Sequence, residues 1–168
     1  MAIRSAERRP GGGRSAPSRQ VERRVYVKAS PRDVWTTLAS GAPELIPELS
    51  LGPADPSWPA AGANRLGVLR LGLLRTQVRL ESLEARPDTT FRIIVTSEEF
   101  ALEWGWRLEP LAGGTRVVHD GAVDAYDRWA NLLVRLGRES AGALADAHLR
   151  ALKELAEKTW TEARGPAA

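Results

Sequence analysis

Between Asn64 and Asp124 the chain reads as five strands, near 64–72, 75–86, 90–97, 99–109 and 115–124. The links between them are Gly72-Leu73-Leu74, Arg86-Pro87-Asp88, Ser97-Glu98 and Ala112-Gly113-Gly114. Links this short leave no room for a crossover helix, so each strand must lie antiparallel to the next. The alternation also assigns the faces. Phe100, Leu102, Trp104, Trp106 and Leu108 share one side of their strand, and Glu103, Arg107 and Glu109 share the other. Thr115, Val117 and His119 likewise oppose Arg116, Val118 and Asp120. Side chains alternate with a period of two, so the sheet has one charged, wet face and one apolar, aromatic face. The apolar face needs a cover.

The cover comes from both ends of the chain. Val21–Ala29 alternates as a further half-buried strand. It runs into Ser30-Pro31-Arg32-Asp33, where Ser30 caps a helix, Pro31 takes the first helical position and Asp33 closes a capping box. Val34, Trp35 and Leu38 form that helix's buried face, with Gly41 and Pro43 ending it. A second short helix is expected around Glu44–Leu49, and residues 50–63, with three prolines, read as loop. A long helix from about Tyr126 to Trp160 closes the chain. Its expected buried stripe is Leu133, Leu136, Ser140, Ala143 or Leu144, Ala147, Ala151 and Leu155, with Glu154 and Lys158 as an i,i+4 pair. Gly137, Ser140, Ala141, Gly142 and Ala143 make its middle unusually small. That suits either close packing on the sheet or space left for a ligand.

Charge and composition remove several functions. Residues 1–20 hold five arginines and one acid, leaving 19 basic against 20 acidic side chains in the other 148 residues. The basicity belongs to the Gly- and Pro-containing tail, which reads as disordered, and the body carries no nucleic-acid-binding character. The domain is expected over 21–162, with 163–168 a disordered C-terminus. There is no cysteine, and two histidines, His119 and His148, exclude a histidine-rich metal centre. No apolar run suffices for a bilayer span, so a cytoplasmic location is expected. The sequence lacks G-x-S-x-G, Walker-type and dinucleotide-binding glycine motifs, leaving hydrolase, nucleotidase and Rossmann readings unsupported.

This order of elements is that of an α+β helix-grip fold, in which a curved antiparallel sheet of six or seven strands wraps a long C-terminal helix, with two short helices after the first strand. Local motifs agree. Val27-Lys28-Ala29-Ser30-Pro31-Arg32-Asp33-Val34-Trp35 resembles the opening of the SRPBCC superfamily, the START-like and pollen-allergen-like proteins. Trp58-Pro59-Ala60-Ala61-Gly62 is similar to the W-P-x-x-G lead-in to the second strand of its polyketide cyclase/dehydrase-like branch. Trp106-Arg107-Leu108-Glu109-Pro110 with Gly113-Gly114-Thr115-Arg116-Val117 is similar to that branch's penultimate hairpin. The resemblance spans about residues 21–160 and implies a cavity between sheet and helix. It specifies fold more than function, because each motif has a structural task. Six strands are evident, so a seventh is either hidden in 50–72 or missing.

Within such a cavity His119 is the leading candidate for acid–base chemistry on a carbonyl or hydroxyl; its alternative is a buried histidine bonded to backbone or to Asp120. Trp104, Trp106, Tyr126 and Trp129 are candidate ligand contacts, or simply core. Thr76 and Ser82 offer hydroxyls from the same face. Binding of a small hydrophobic or aromatic molecule is the expected function. The alternatives are a cofactor-independent polyketide cyclase or dehydratase using His119 in the same cavity, and a protein-interaction module using the tail. No cofactor, metal or nucleic acid is expected, and oligomeric state is not legible.

Overall fold

The computed structural model describes residues 21–40, 44–71, 74–125 and 138–164. Its strands are β1 (Val21–Val27), β2 (Leu49–Ala54), β3 (Asn64–Leu71), β4 (Leu74–Arg86), β5 (Thr90–Thr96), β6 (Phe100–Leu111) and β7 (Gly114–Ala125). Helix α1 covers Pro31–Ser40 and helix α2 covers Arg138–Arg164. The strands form one sheet in the order β1-β7-β6-β5-β4-β3-β2, with every neighbouring pair antiparallel. This is the helix-grip arrangement. The seventh strand is β2, inside the stretch read as loop. Its alternation is broken by Gly52 and Pro53, and its pairing with β3 shifts register between Leu51 and Ala54. The expected second short helix is absent among the described residues: 44–48 make turns, because Pro47 sits where a helix would have to propagate.

The capping box forms as expected. Asp33 N donates to Ser30 Oγ at 3.2 Å, and Ser30 Oγ donates to Asp33 Oδ2 at 2.6 Å. The cis Trp58–Pro59 segment then ties α1 to the sheet, with Trp58 Nε1 donating to Ala39 O at 3.0 Å. Ser82 is fully buried and donates to Pro59 O at 2.7 Å, which accounts for its hydroxyl structurally. On the outer face Arg92 of β5 bonds Glu103 of β6 and Asp120 of β7. Arg107 and Arg116 both pair with Glu109. The charged outer face expected from alternation is therefore present, laced by these ion pairs, and Asp120 lies on it.

Helix α2 lies across the inner face, and its buried line differs from the expected stripe. Ala145, His148, Leu149, Leu152 and Ala156 are buried, while Leu144, Ala147, Ala151 and Leu155 are half-buried. The helix is rotated by about one residue, or ~100°, from the expected orientation. Periodicity did not separate the two faces, because both carry alanine and leucine at helical spacing and the buried one also carries a histidine. The ion pair shown at this end is Lys153–Glu157 rather than the anticipated Glu154 with Lys158. Lys153 Nζ also donates to Tyr26 O, and Glu157 Oε1 accepts from Lys28 N, so the pair clamps α2 to the end of β1. Gly142 faces β1, where a Cβ would lie 2.5 Å from Arg23 Nη2; the small residue there accommodates Arg23. Leu133, Leu136 and Gly137 lie outside the described residues, as does the 126–137 part of the expected helix.

The rotation has a measurable consequence. Leu152→Ala is expected to destabilise by about 2–5 kcal/mol, and Leu155→Ala by clearly less, in equilibrium chemical denaturation. Equal losses, or the reverse order, would restore the stripe drawn from apolar periodicity.

Candidate functional site

The site grows from the register between β6 and β7. Trp106 is paired directly with His119, and Phe91 of β5 pairs with Trp106 from the other side. Residues paired across a ladder point to the same face, so the three rings line up. Trp106 and His119 stack with centroids 4.7 Å apart and planes 11° from parallel. Phe91 stacks on Trp106 at 6.1 Å, and Trp58 meets Phe91 edge-on at 5.9 Å. The result is a row of four rings on the inner face of the sheet, with Trp58 at its α1 end.

His119 is 1% exposed, and its Nδ1 lies 2.8 Å from Gly105 O. A carbonyl only accepts, so Nδ1 carries the hydrogen and donates it. Burial pushes the imidazole pKa down from 6.5 to about 4, and the nearby His148 adds to this. The bond to Gly105 O and the charge of Asp120 oppose the shift without cancelling it. At neutral pH His119 is therefore a neutral ring anchored to the backbone, with the hydrogen-bonding pattern of a base rather than an acid.

His148 descends from α2 to meet it. It too is 1% exposed, with its ring centroid 5.7 Å from His119 and 5.1 Å from Trp104, edge-on to the latter. Its Nε2 is 3.4 Å from Oε2 of Glu48, the half-buried residue that leads into β2. The bond from His148 holds the Glu48 carboxyl below the usual carboxylate range, despite partial burial. Nδ1 of His148 is buried and has no hydrogen-bond partner among the described residues. Both histidines of the chain thus converge in the core.

A cavity of about 30 Å³ opens beside this cluster. Its walls include Leu38 of α1, Leu49 and Leu51 of β2, Ile93 of β5, and Trp58, Phe91, Trp106 and His148. Such a volume holds a water molecule or two, whereas pockets for drug-sized ligands run to roughly 300 Å³ or more. Trp58, Phe91 and Trp106, which pack ring against ring, take up one side of the cavity.

Of the residues singled out in the sequence, Trp106 lines this cavity. Trp104 is buried against His148, and His119 stacks beyond Trp106; neither is among the lining residues. Thr76 is half-buried, bonds its hydroxyl to Gln77 O at 3.4 Å and also lies outside the lining. Tyr126 and Trp129 lie outside the described residues. Sequence reasoning missed His148, Glu48, Trp58 and Phe91 as members of the cluster. Phe91 was detectable from the alternation of Phe91, Ile93 and Val95, whereas Glu48 carried no signal, because its neighbour is 100 residues away. Among the described residues no group of three or more side chains is placed to hold a metal ion, and no helix is long and apolar enough to cross a membrane.

A curved seven-stranded antiparallel sheet gripping one long helix over an aromatic interior defines a helix-grip protein of SRPBCC type. Residues 18–157 match the family described as polyketide cyclase / dehydrase and lipid transport, and the chain belongs to that family. No curated protein is significantly similar in sequence. Among solved structures, the Zhui aromatase/cyclase from Streptomyces sp. R1128 shares 18% identity at a TM-score of 0.67, with 88% of this chain and 99% of that one covered. The di-domain ARO/CYC StfQ from the steffimycin biosynthetic pathway shares 15% at 0.66, covering 83% of this chain and 51% of that one. A protein from Thermus thermophilus shares 18% at 0.65, covering 85% and 100%. At these identities the likeness is one of fold.

The His119 environment predicts a pH dependence. The unfolded chain binds a proton near pH 6.5 and the folded one only near pH 4, so stability falls as pH drops between those values. The separation corresponds to roughly 3 kcal/mol, flattening below the lower value. Urea denaturation between pH 7 and 4 reads the slope, and His119→Phe should reduce it. An unchanged slope in the variant would remove His119 as its cause.

Proposed function

We propose that the protein binds a small hydrophobic or aromatic molecule in the space between the sheet and α2. The observation that carries this is the cavity edged by Trp58, Phe91 and Trp106 and otherwise walled mainly by aliphatic side chains. Such a surface offers dispersion and ring stacking with few polar demands. Membership in a family described by polyketide cyclisation, dehydration and lipid transport supports the same class of ligand. Because the cavity is near 30 Å³, binding is coupled to movement of the rings that line it. Affinity is then lowered by the cost of opening.

Titration with toluene and naphthalene, followed by methyl NMR, tests this reading. Saturable shifts centred on Leu38, Leu49 and Ile93 are expected. Ile93→Phe, which fills the space, should weaken binding at least about tenfold while costing about 1–3 kcal/mol of stability. Absence of saturable binding to any apolar probe would overturn the proposal.

A second reading adds catalysis of polyketide cyclisation or dehydration, without a cofactor, and rests on the family description. In it His119 acts through Nε2 as a base once Trp106 moves aside. A pKa near 4 makes it a weak base, and a ring that is neutral at pH 7 has no proton on Nε2 to donate. His119→Ala is expected to abolish turnover of a poly-β-ketone substrate while leaving binding measurable. Unchanged turnover would exclude His119 from the chemistry.

A further inference from the structure

His148 stands apart from the rest of the buried polar groups. Ser82 donates to Pro59 O, Thr115 donates to Ala29 O and His119 donates to Gly105 O. His148 is equally buried, yet one of its two ring nitrogens has no partner among the described residues, and its side chain forms part of the cavity wall. Buried polar atoms are overwhelmingly hydrogen-bonded, and a partnerless one beside a cavity marks a place where something else completes it. Trp35 Nε1 is also buried without a partner among those residues, but Trp35 does not line the cavity.

The chemistry of the missing partner follows from the other nitrogen. Nε2 faces the Glu48 carboxylate, which can only accept, so the hydrogen sits on Nε2. The tautomer that donates there presents a bare lone pair at Nδ1. A carboxylate behind an imidazole fixes both ring orientation and tautomer. Among the described residues none donates to that nitrogen; Trp104 meets the ring edge-on, and the rest of the cavity wall is leucine, isoleucine, phenylalanine and tryptophan side chains.

We propose that Glu48 and His148 form the polar anchor of the cavity, and that Nδ1 of His148 accepts the hydrogen of a hydroxyl group on an otherwise apolar ligand, a phenol or enol in particular. This rests on the cavity being a binding site and adds a selectivity to it. An acidic hydroxyl is favoured over an aliphatic one, because its more polarised O–H makes the stronger bond to a basic nitrogen. In the free protein a water molecule can take the same place, since the cavity has room for one.

Three probes of similar size separate the outcomes: toluene has no polar atom, phenol donates, and anisole only accepts. Calorimetric titration of the full chain should show phenol binding about tenfold tighter than toluene or anisole, as expected for one buried hydrogen bond. The ¹⁵N resonance of His148 Nδ1 should move on addition of phenol and stay in place with toluene. His148→Phe should remove the preference while retaining toluene. Glu48→Gln should reduce the preference without removing the cavity, and it guards against misfolding in the first variant. Equal affinity for phenol and toluene, or anisole matching phenol, would overturn the anchor and leave the cavity reading intact. Failure of all three probes to bind would overturn the cavity reading, and the anchor with it.

Discussion

The pairing of Trp106 with His119 across β6 and β7 is the constraint on which the interior depends. A buried imidazole needs a hydrogen-bond partner, and a strand carbonyl has a second lone pair available for one. Gly105 O supplies it, which holds His119 flat against Trp106. The outer face at the same position needs Gly105 as well. A Cβ there would lie 2.7 Å from Asp120 Oδ1 and 3.0 Å from Arg92 Nη1, so a side chain would displace the charge cluster that crosses three strands. One strand position thus serves the ring row below and the ion network above. Slipping the ladder by one residue would lose both.

The helix completes what the sheet begins. Ala145 and Ala156 allow α2 to approach, Leu149 and Leu152 fill the core, and Lys153 with Glu157 fastens the helix to β1. Between these contacts the helix places a histidine rather than a leucine at the cavity. The interior therefore combines close packing with a small volume of unpartnered polarity.

Much of this was legible in advance because the responsible signals are local. Ser30, Pro31 and Asp33 mark the start of α1 through bonds made within four residues. The inward positions of Trp104, Trp106 and His119 follow from a period of two, as does the outward position of Asp120. Strand β2 was hidden because Gly52 and Pro53 obscure its alternation, and its hydrogen bonds come from β3 rather than from any propensity of its own. The rotation of α2 was misread because Leu144, Ala147, Ala151 and Leu155 repeat with the same period as Ala145, Leu149, Leu152 and Ala156, so periodicity alone did not separate the two faces, and His148 lies on the one that is buried.

The sequence by itself determined six of the seven strands, the antiparallel succession of the five from Asn64 onward, the two faces of the sheet and the family to which the fold belongs. Those properties depend on side-chain period, turn length and capping, all of which act between near neighbours. Tertiary structure alone decided that His119 and His148 meet, that Glu48 stands behind one of them, and that the cavity closes to about 30 Å³. Each of these is a small difference between large packed volumes or a contact between distant segments. A rotation of α2 by one residue would change all three.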